Sequence, residues 1–362
     1  MRAAYGEKTR SFFSNNMNPK ILIDFAGQKV FDAATVDVNI IIIKKNKNEQ
    51  QTNSCIIKDD CRSNMTDYIR QNNSVISFPA NGQSWVILSD IERRIKEKIE
   101  RIGKPLRDWD INIYRGILTG CNEAFIITKE KRDELIKKSP ESAEIIRPIL
   151  RGRDIKRYGY EFAEQYIIAT FPSRRIEIEN YPAVRDHLIK YGKKKLEQSG
   201  KHGARKKTCH KWYETQDTIN YWDDFSKQKI IFQEMVLEPS FMYDNSGSFF
   251  CLDTARIITG QNIDYLISIL SSKLFFFAVK YFYGGGGLGE NGVRMKHTFF
   301  KKFSCPLLDE QNKKTLVTFS ETAINKYNSS DFLEIDNQIN NFIYSLYDIS
   351  NEEKAFINTI IL

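Results

Sequence analysis

The sequence predicts a fragment of an α/β domain, then a larger α+β region, then a helical tail. Three observations point there. The first 45 residues pattern as a helix and two apolar strands, too few for a sheet of their own. Strand and helix patterns then mix from 106 to 308, and an acidic, helix-patterned stretch closes the chain at 309 to 362. With 362 residues and 41% hydrophobic content, two or three folded domains with a sizeable core are expected.

The elements follow in order. ILIDF reads as a short strand. NIIII, at 39 to 43, is a near-continuous apolar run, as in a strand buried on both faces. It belongs to the sheet of a larger domain or of another segment. Residues 46 to 75 are polar and read as a linker with one helix. Residues 86 to 103 put Val86, Ile87, Leu88, Ile91, Ile95 and Ile99 on one helical face. Residues 110 to 128 alternate around a turn at 119 to 122, which predicts two strands about that turn. A helix runs from 131 up to IIRPIL, and QYIIATF is a strand. YPAVRDHLIKYGKKKLEQ is a helix with Pro182 near its start. Residues 228 to 258 are strand-rich, 262 to 283 form a helix, and the tail holds two or three more.

The net charge of +8 is unevenly placed. Residues 185 to 211 hold ten Lys or Arg against two acids, so the whole net charge sits in 27 residues. From Pro306 onward nine acids face four lysines. A concentrated basic stretch is the footprint of a polyanion partner, although a solvated face has the same composition. No apolar run approaches the roughly 18 residues that span a bilayer, so no membrane is expected. The six cysteines form no CxxC pair and read as free thiols in a reducing cytoplasm. His202, Cys209 and His210 give the one hint of zinc and lack a fourth ligand.

GGGGLG, at 284 to 289, satisfies the dinucleotide fingerprint GxGxxG. It follows a helix, whereas that fingerprint needs a strand before it. Glycine lets backbone N–H groups approach a phosphate, and Arg294, Lys296, His297, Lys301 and Lys302 follow. The loop reads as a flexible connection or a backbone-approach loop for nucleic acid. An independent enzyme with a nucleotide cofactor here is the alternative. The chain has no Pro-Pro and no Pro-Asp, hence no NPPY or DPPY, and it has no GxxxxGK[ST], HExxH or GxSxG. Asp108 and Asp110 are paired in sequence, but nothing orders them as acid and base.

Several stretches together resemble the target-recognition region of TaqI-like adenine-specific DNA methyltransferases, including single-chain type II restriction–modification enzymes. They are YRGILTGCNEAFIIT (114 to 128), IIRPILRGRDIKRYGY (145 to 160), YPAVRDHLIKY (181 to 191), HKWYE (210 to 214), KIIFQEM (229 to 235) and YGGGGLGENGVRMKHTFFKKF (283 to 303). The co-linear set spans roughly 105 to 310. The opening 45 residues resemble the end of the family's catalytic lobe. The resemblance implies an α/β remnant of a methyltransferase lobe (1–45), a linker and helix (46–105), an α+β TaqI-like target-recognition domain (106–308) and an acidic C-terminal helical tail (309–362). It implies a DNA-recognition module that lacks the family's glycine-rich cofactor loop and NPPY. No cofactor is then expected in this chain. S-adenosylmethionine is expected of the complete enzyme, whose catalytic lobe lies in a longer parent chain or a separate subunit. The flipped adenine would be held by that lobe. A specificity subunit acting with a separate methyltransferase or nuclease chain is the second reading.

Double-stranded DNA is thus the expected partner. Phosphate contacts are expected from LRGRDIKRY, with Lys156 and Arg157, and from Lys193 and Lys194. Base readout needs paired donors and acceptors, as Arg offers guanine and Asn offers adenine. Asn122, Arg151, Arg153, Lys206 and Lys207 are the candidates for it, and Thr119, Trp212, Arg294 and Lys296 are further DNA-binding candidates. The structural alternatives are a salt-bridge knot for LRGRDI, a simple turn for Asn122, and core packing for Trp212 and Tyr213.

Overall fold

The structure is a computed structural model. It describes residues 6–25, 30–31, 38–57, 64–78, 82, 85–201, 203–284 and 292–361. The chain divides into two compact units. One is Met1–Leu106, Phe277–Pro306 and Tyr344–Leu362; the other is Arg107–Phe276 and Leu307–Ile343.

The first unit is built on one four-stranded sheet. Its strands are β1 (Asn18–Asp24), β2 (Asn39–Lys44), β3 (Thr52–Ile56) and β4 (Ser74–Ile76), in the order β2-β1-β3-β4. β1 runs parallel to β3 and antiparallel to β2, and β4 is antiparallel to β3. Alternation along β1 feeds two cores. Ile23 joins Phe25, Cys55 and Ile57 on one face, under α2 (Met65–Asn72). Leu22 joins Phe78, Trp85 and Ile87 on the other, where Phe13 of α1 (Glu7–Asn16) packs. The expected helix–strand–strand opening is present.

Two expectations for this unit are corrected. NIIII is not buried on both faces. Among the described residues β2 is the sheet's edge strand, and Ile40 and Ile42 are 40% and 51% exposed. The polar stretch 46 to 75 is more than a linker with a helix. It supplies β3 and β4, so the strands of the first 45 residues find their sheet locally. Its polar side chains pair across strands, as Ser54 Oγ does with the Ser74 carbonyl at 3.0 Å. That pairing hides the usual apolar alternation.

The expected helix over 86 to 103 is α3, Asp90–Arg101. It starts after Val86 to Leu88, because Ser89 and Glu92 form a capping box. Ile95 and Ile99 are fully buried. Lys98 Nζ donates to Glu353 Oε2 at 2.7 Å, so the last helix, Asn351–Ile360, packs within this unit.

The second unit holds two four-stranded sheets. One, antiparallel throughout, orders Phe241–Asp244, Lys229–Gln233, Ala255–Gly260 and Ile111–Arg115. The other orders Phe250–Cys251, Ile146–Leu150, Gln165–Ile168 and Ile126–Thr128. Both contribute to one core that includes Ile149, Ile167, Phe225, Ile231, Met242 and Ile257. The helices Lys129–Lys138 and Pro182–Leu196 cover a second core around Phe125, Leu135, Ile168, Val184, Leu188 and Tyr213. The two strands expected over 110 to 128 exist but are not a hairpin. They enter different sheets, and a one-turn helix, Asn122–Phe125, lies between them.

The helix expected over 262 to 283 is interrupted. Ser272 Oγ accepts from the Phe275 N–H at 3.1 Å and starts a new helix, Lys273–Ala278, which ends in a wide π-turn at Val279–Tyr283. The acidic tail forms three helices, and Leu307–Ile343 belongs to the second unit. There Tyr327 donates to the Tyr160 carbonyl at 2.9 Å, and a Cβ on Gly159 would meet the Tyr327 ring at 2.3 Å. The glycine run at 285–289 and His202 lie outside the described residues. Among the described residues no cluster of His, Cys, Asp or Glu has the makings of a metal site, and the five described cysteines are free. No single described helix is long and apolar enough to cross a bilayer.

Candidate nucleic-acid interface

The basic stretch 185 to 211 begins on the helix Pro182–Leu196. Proline at its first turn and Val184, Leu188 and Leu196 on one buried face explain the helix. Gly192 breaks it with φ 128 and ψ 100, a conformation closed to residues with a Cβ. Lys193, Lys194 and Lys195 therefore form a separate last turn, all three exposed.

The loop beyond is pinned from inside by Arg205. This residue is 5% exposed. Nε donates to the Leu196 carbonyl at 2.8 Å, Nη1 to Thr119 at 2.9 Å, and Nη2 to Trp212 at 2.7 Å and Glu214 at 2.8 Å. Burial pulls its pKa down to about 10. Its planar fork, over the Phe125 ring at 5.1 Å, reaches four backbone oxygens that a lysine ammonium has too few donors to match. Gln198 adds a second tie. Its Nε2 donates to the Glu214 carbonyl at 3.1 Å, and its Oε1 accepts from Thr208 at 2.8 Å. The turn at 120 needs its glycine, at φ 76 and against Arg205 Cδ and the Gln216 side chain.

Arg205 was indistinct within the basic count. The signal that finds it is chemical: between 190 and 211 it is the one arginine among eight lysines. Of the ten cations from 185 to 211, Arg185 pairs with Glu179 and Asp186, Arg205 is buried, and Lys211 lies 3.4 Å from Glu177. The other seven, Lys190, Lys193, Lys194, Lys195, Lys201, Lys206 and Lys207, are exposed without an ion pair among the described residues.

The structure brings Thr119, Asn122, Lys193, Lys194, Lys206, Lys207 and Trp212 together around Arg205, in differing roles. Thr119 is fully buried, so its side chain serves the local structure and is closed to a partner. Its hydroxyl donates to Asn122 Oδ1 at 2.7 Å and accepts from the Cys121 N–H at 3.1 Å. Asn122 is exposed, with that oxygen already engaged. Trp212 is half-buried against the helical core, edge-on to Tyr213 at 5.5 Å, with Lys193 Nζ 5.5 Å from its ring centroid. Lys206 and Lys207 point outward.

LRGRDIKRY is different. Arg151 forks onto Asp154, with Nε and Nη2 donating at 2.7 to 3.1 Å, while the Arg151 N–H donates to the same carboxylate at 2.8 Å. Asp154 is buried, and the paired carboxylate raises the pKa of Arg151. Arg157 pairs with Asp336, both side chains largely buried. Burial pushes the Asp336 carboxyl up, against the pull of Arg157. Lys156 sits 3.4 Å from Glu161. Arg151 and Arg157 therefore act as structural ties within the unit, the expected knot being made by Arg151. Arg153 alone of this stretch is exposed without an ion pair among the described residues. Arg294 and Lys296 belong to the first unit, where Arg294 is exposed and Lys296 half-buried.

Residues 147–286 match the family model described as the TaqI-like C-terminal specificity domain. The segment is similar to that domain. It contains the basic loop, Arg205, and most of both sheets of the second unit. Among solved structures, the type IIL restriction-modification enzyme MmeI, determined in complex with DNA, is similar with a TM-score of 0.54 at 12% identity. The match covers 96% of this chain and 47% of that one, a shared fold. The type IIG restriction endonuclease BpuSI gives a TM-score of 0.45 at 12% identity, covering 97% and 46%. The chain thus spans about half the length of these enzymes.

Proposed function

We propose that this chain is the DNA target-recognition module of an adenine-specific restriction–modification methyltransferase. One observation carries the reading: seven exposed lysines, none in an ion pair among the described residues, lie on a segment tied by the buried Arg205 within the part of the chain that matches a TaqI-like specificity domain. Free lysines supply the sequence-independent phosphate term, and a pinned loop gives the fixed register that base readout requires. Asn122, Lys206 and Lys207 are the base-reading candidates that stay exposed at that site. In this reading S-adenosylmethionine and the flipped adenine belong to a catalytic lobe, in a longer parent chain or a separate subunit.

The test is selection from a random duplex DNA pool, sequenced at two salt concentrations. A short motif that survives the higher salt is the expected outcome. Unselective binding that collapses with salt would leave a basic surface and no reader.

A further inference from the structure

A second cationic place on the same unit lies outside the lysine-rich stretch. Arg174 ends the short turn Pro172–Arg174. Its guanidinium carbon lies 4.7 Å from the Trp222 ring centroid, and its side chain makes no hydrogen bond or ion pair among the described residues. The contrast with Arg205 is direct. Arg205 has four backbone acceptors, whereas the half-buried Arg174 has an aromatic face and none. A guanidinium carries five donors, and those of Arg174 meet no protein acceptor among the described residues.

The neighbours add charge. Burial lowers the pKa of Arg174, and the like charge of Arg147 lowers it further, against weaker pulls from Tyr181, Asp223 and Glu144. Arg147 uses Nη1 on the Ala143 and Ile146 carbonyls at 2.7 and 3.1 Å. Glu144 already accepts from the Tyr181 hydroxyl at 2.9 Å. Arg175 follows, exposed and in the left-handed region at φ 50. The turn itself is fixed, since Ser173 Oγ donates to the Ile219 carbonyl at 2.7 Å. A ring lies beside the guanidinium, the turn's backbone is tied, and no acceptor for it is present among the described residues.

We infer that Arg174, stacked on Trp222 with Arg147 and Arg175 beside it, is a phosphate-binding site separate from the lysine-rich loop, and that its occupant is a phosphodiester of the DNA backbone. The planar fork suits two phosphate oxygens at once, and the aromatic face leaves the fork's edge available. The DNA occupant rests on the function proposed above.

The experiment measures duplex DNA binding between about 50 and 200 mM salt for the wild type, Arg174→Gln, Arg147→Gln, Arg174→Lys and a Lys206→Gln/Lys207→Gln control. Each glutamine substitution at an arginine is expected to lower the salt slope by about one. Arg174→Lys is expected to keep the slope but bind several-fold more weakly, having charge without the fork. If the lysine control lowers the slope and the arginine variants leave it unchanged, the phosphodiester assignment is overturned and the DNA reading stands. If no variant moves the slope, both fall. A second arm follows thermal melting in inorganic phosphate against chloride at matched ionic strength. A rise in Tm in the wild type that is absent from Arg174→Gln supports the phosphate site. The same rise with unchanged DNA slopes assigns the site to a free phosphate compound instead. Full affinity in Arg174→Lys overturns the stacked fork.

Discussion

In LRGRDIKRY, Arg151 folds back on Asp154, Lys156 lies near Glu161 and Arg157 closes on buried Asp336; in the stretch from 190 to 207, seven lysines are exposed with no ion pair among the described residues. The two stretches offer the same currency of charge in sequence. They differ in what folds against them. LRGRDIKRY runs between sheet strands and meets the tail helix Phe332–Leu346, which brings Asp336. The lysine stretch follows a helix broken at Gly192 and is held through backbone oxygens, so its ammonium groups stay unspent. Positive charge counts toward a polyanion only after the protein's own carboxylates have been subtracted.

The largest expected effect tests the structural half of that contrast. Arg157→Ala leaves Asp336 buried without its cation, and a loss of about 3–5 kcal/mol in unfolding free energy is expected. The pH dependence has a defined sign. Burial raises the Asp336 carboxyl in the folded state, so its favourable contribution is present below the unfolded value and is lost as pH rises through the folded one. Removing Arg157 raises that folded value further. The gap in Tm between wild type and variant should therefore widen as pH climbs from about 4. A gap that stays constant from acid to neutral pH would argue against the pair.

Arg205→Ala comes next. Four carbonyls lose their donor, with an expected cost on the order of 3 kcal/mol. Arg205→Lys should recover only part of it. Beyond stability, the folded variant should keep its salt-dependent affinity while losing preference between DNA sequences. Retained preference in a folded Arg205→Ala protein would sink the idea that the pinned loop sets the register.

The third change breaks the other half of the comparison. Replacing Lys193, Lys194, Lys206 and Lys207 together by Gln should lower the salt slope by about 3 and weaken duplex binding roughly 100-fold, with Tm nearly unchanged. The smallest effect separates neighbours within LRGRDIKRY. Arg153→Ala should change stability by less than about 0.5 kcal/mol, whereas Arg151→Ala should cost more, since it strips Asp154 of its fork. Equal melting curves for the two would erase the distinction between an exposed arginine and a knotted one.

Much of the fold was legible. Helices with a clear apolar face or a proline start, such as Asp90–Arg101 and Pro182–Leu196, lie close to their expected places. The strands 52–56 and 74–76 were not legible, because serines and asparagines pair across them where alternating apolar residues would have marked them. At the site, the exposed lysines could be read from local density of charge. Thr119 and Arg157 could not be placed correctly, since a buried partner 86 or 179 residues away decides each.

The sequence by itself determined the element types, the uneven charge and the likeness to a DNA-recognition domain, because periodicity, composition and co-linear motifs are local properties of the chain. Only the tertiary structure decided which cations are free. An ion pair depends on distance, and distance between residues far apart in sequence exists only once the strands and helices have packed. Arg174 and Arg205 carry the same group. One meets four carbonyls and the other the face of a tryptophan, and the fold alone made them different.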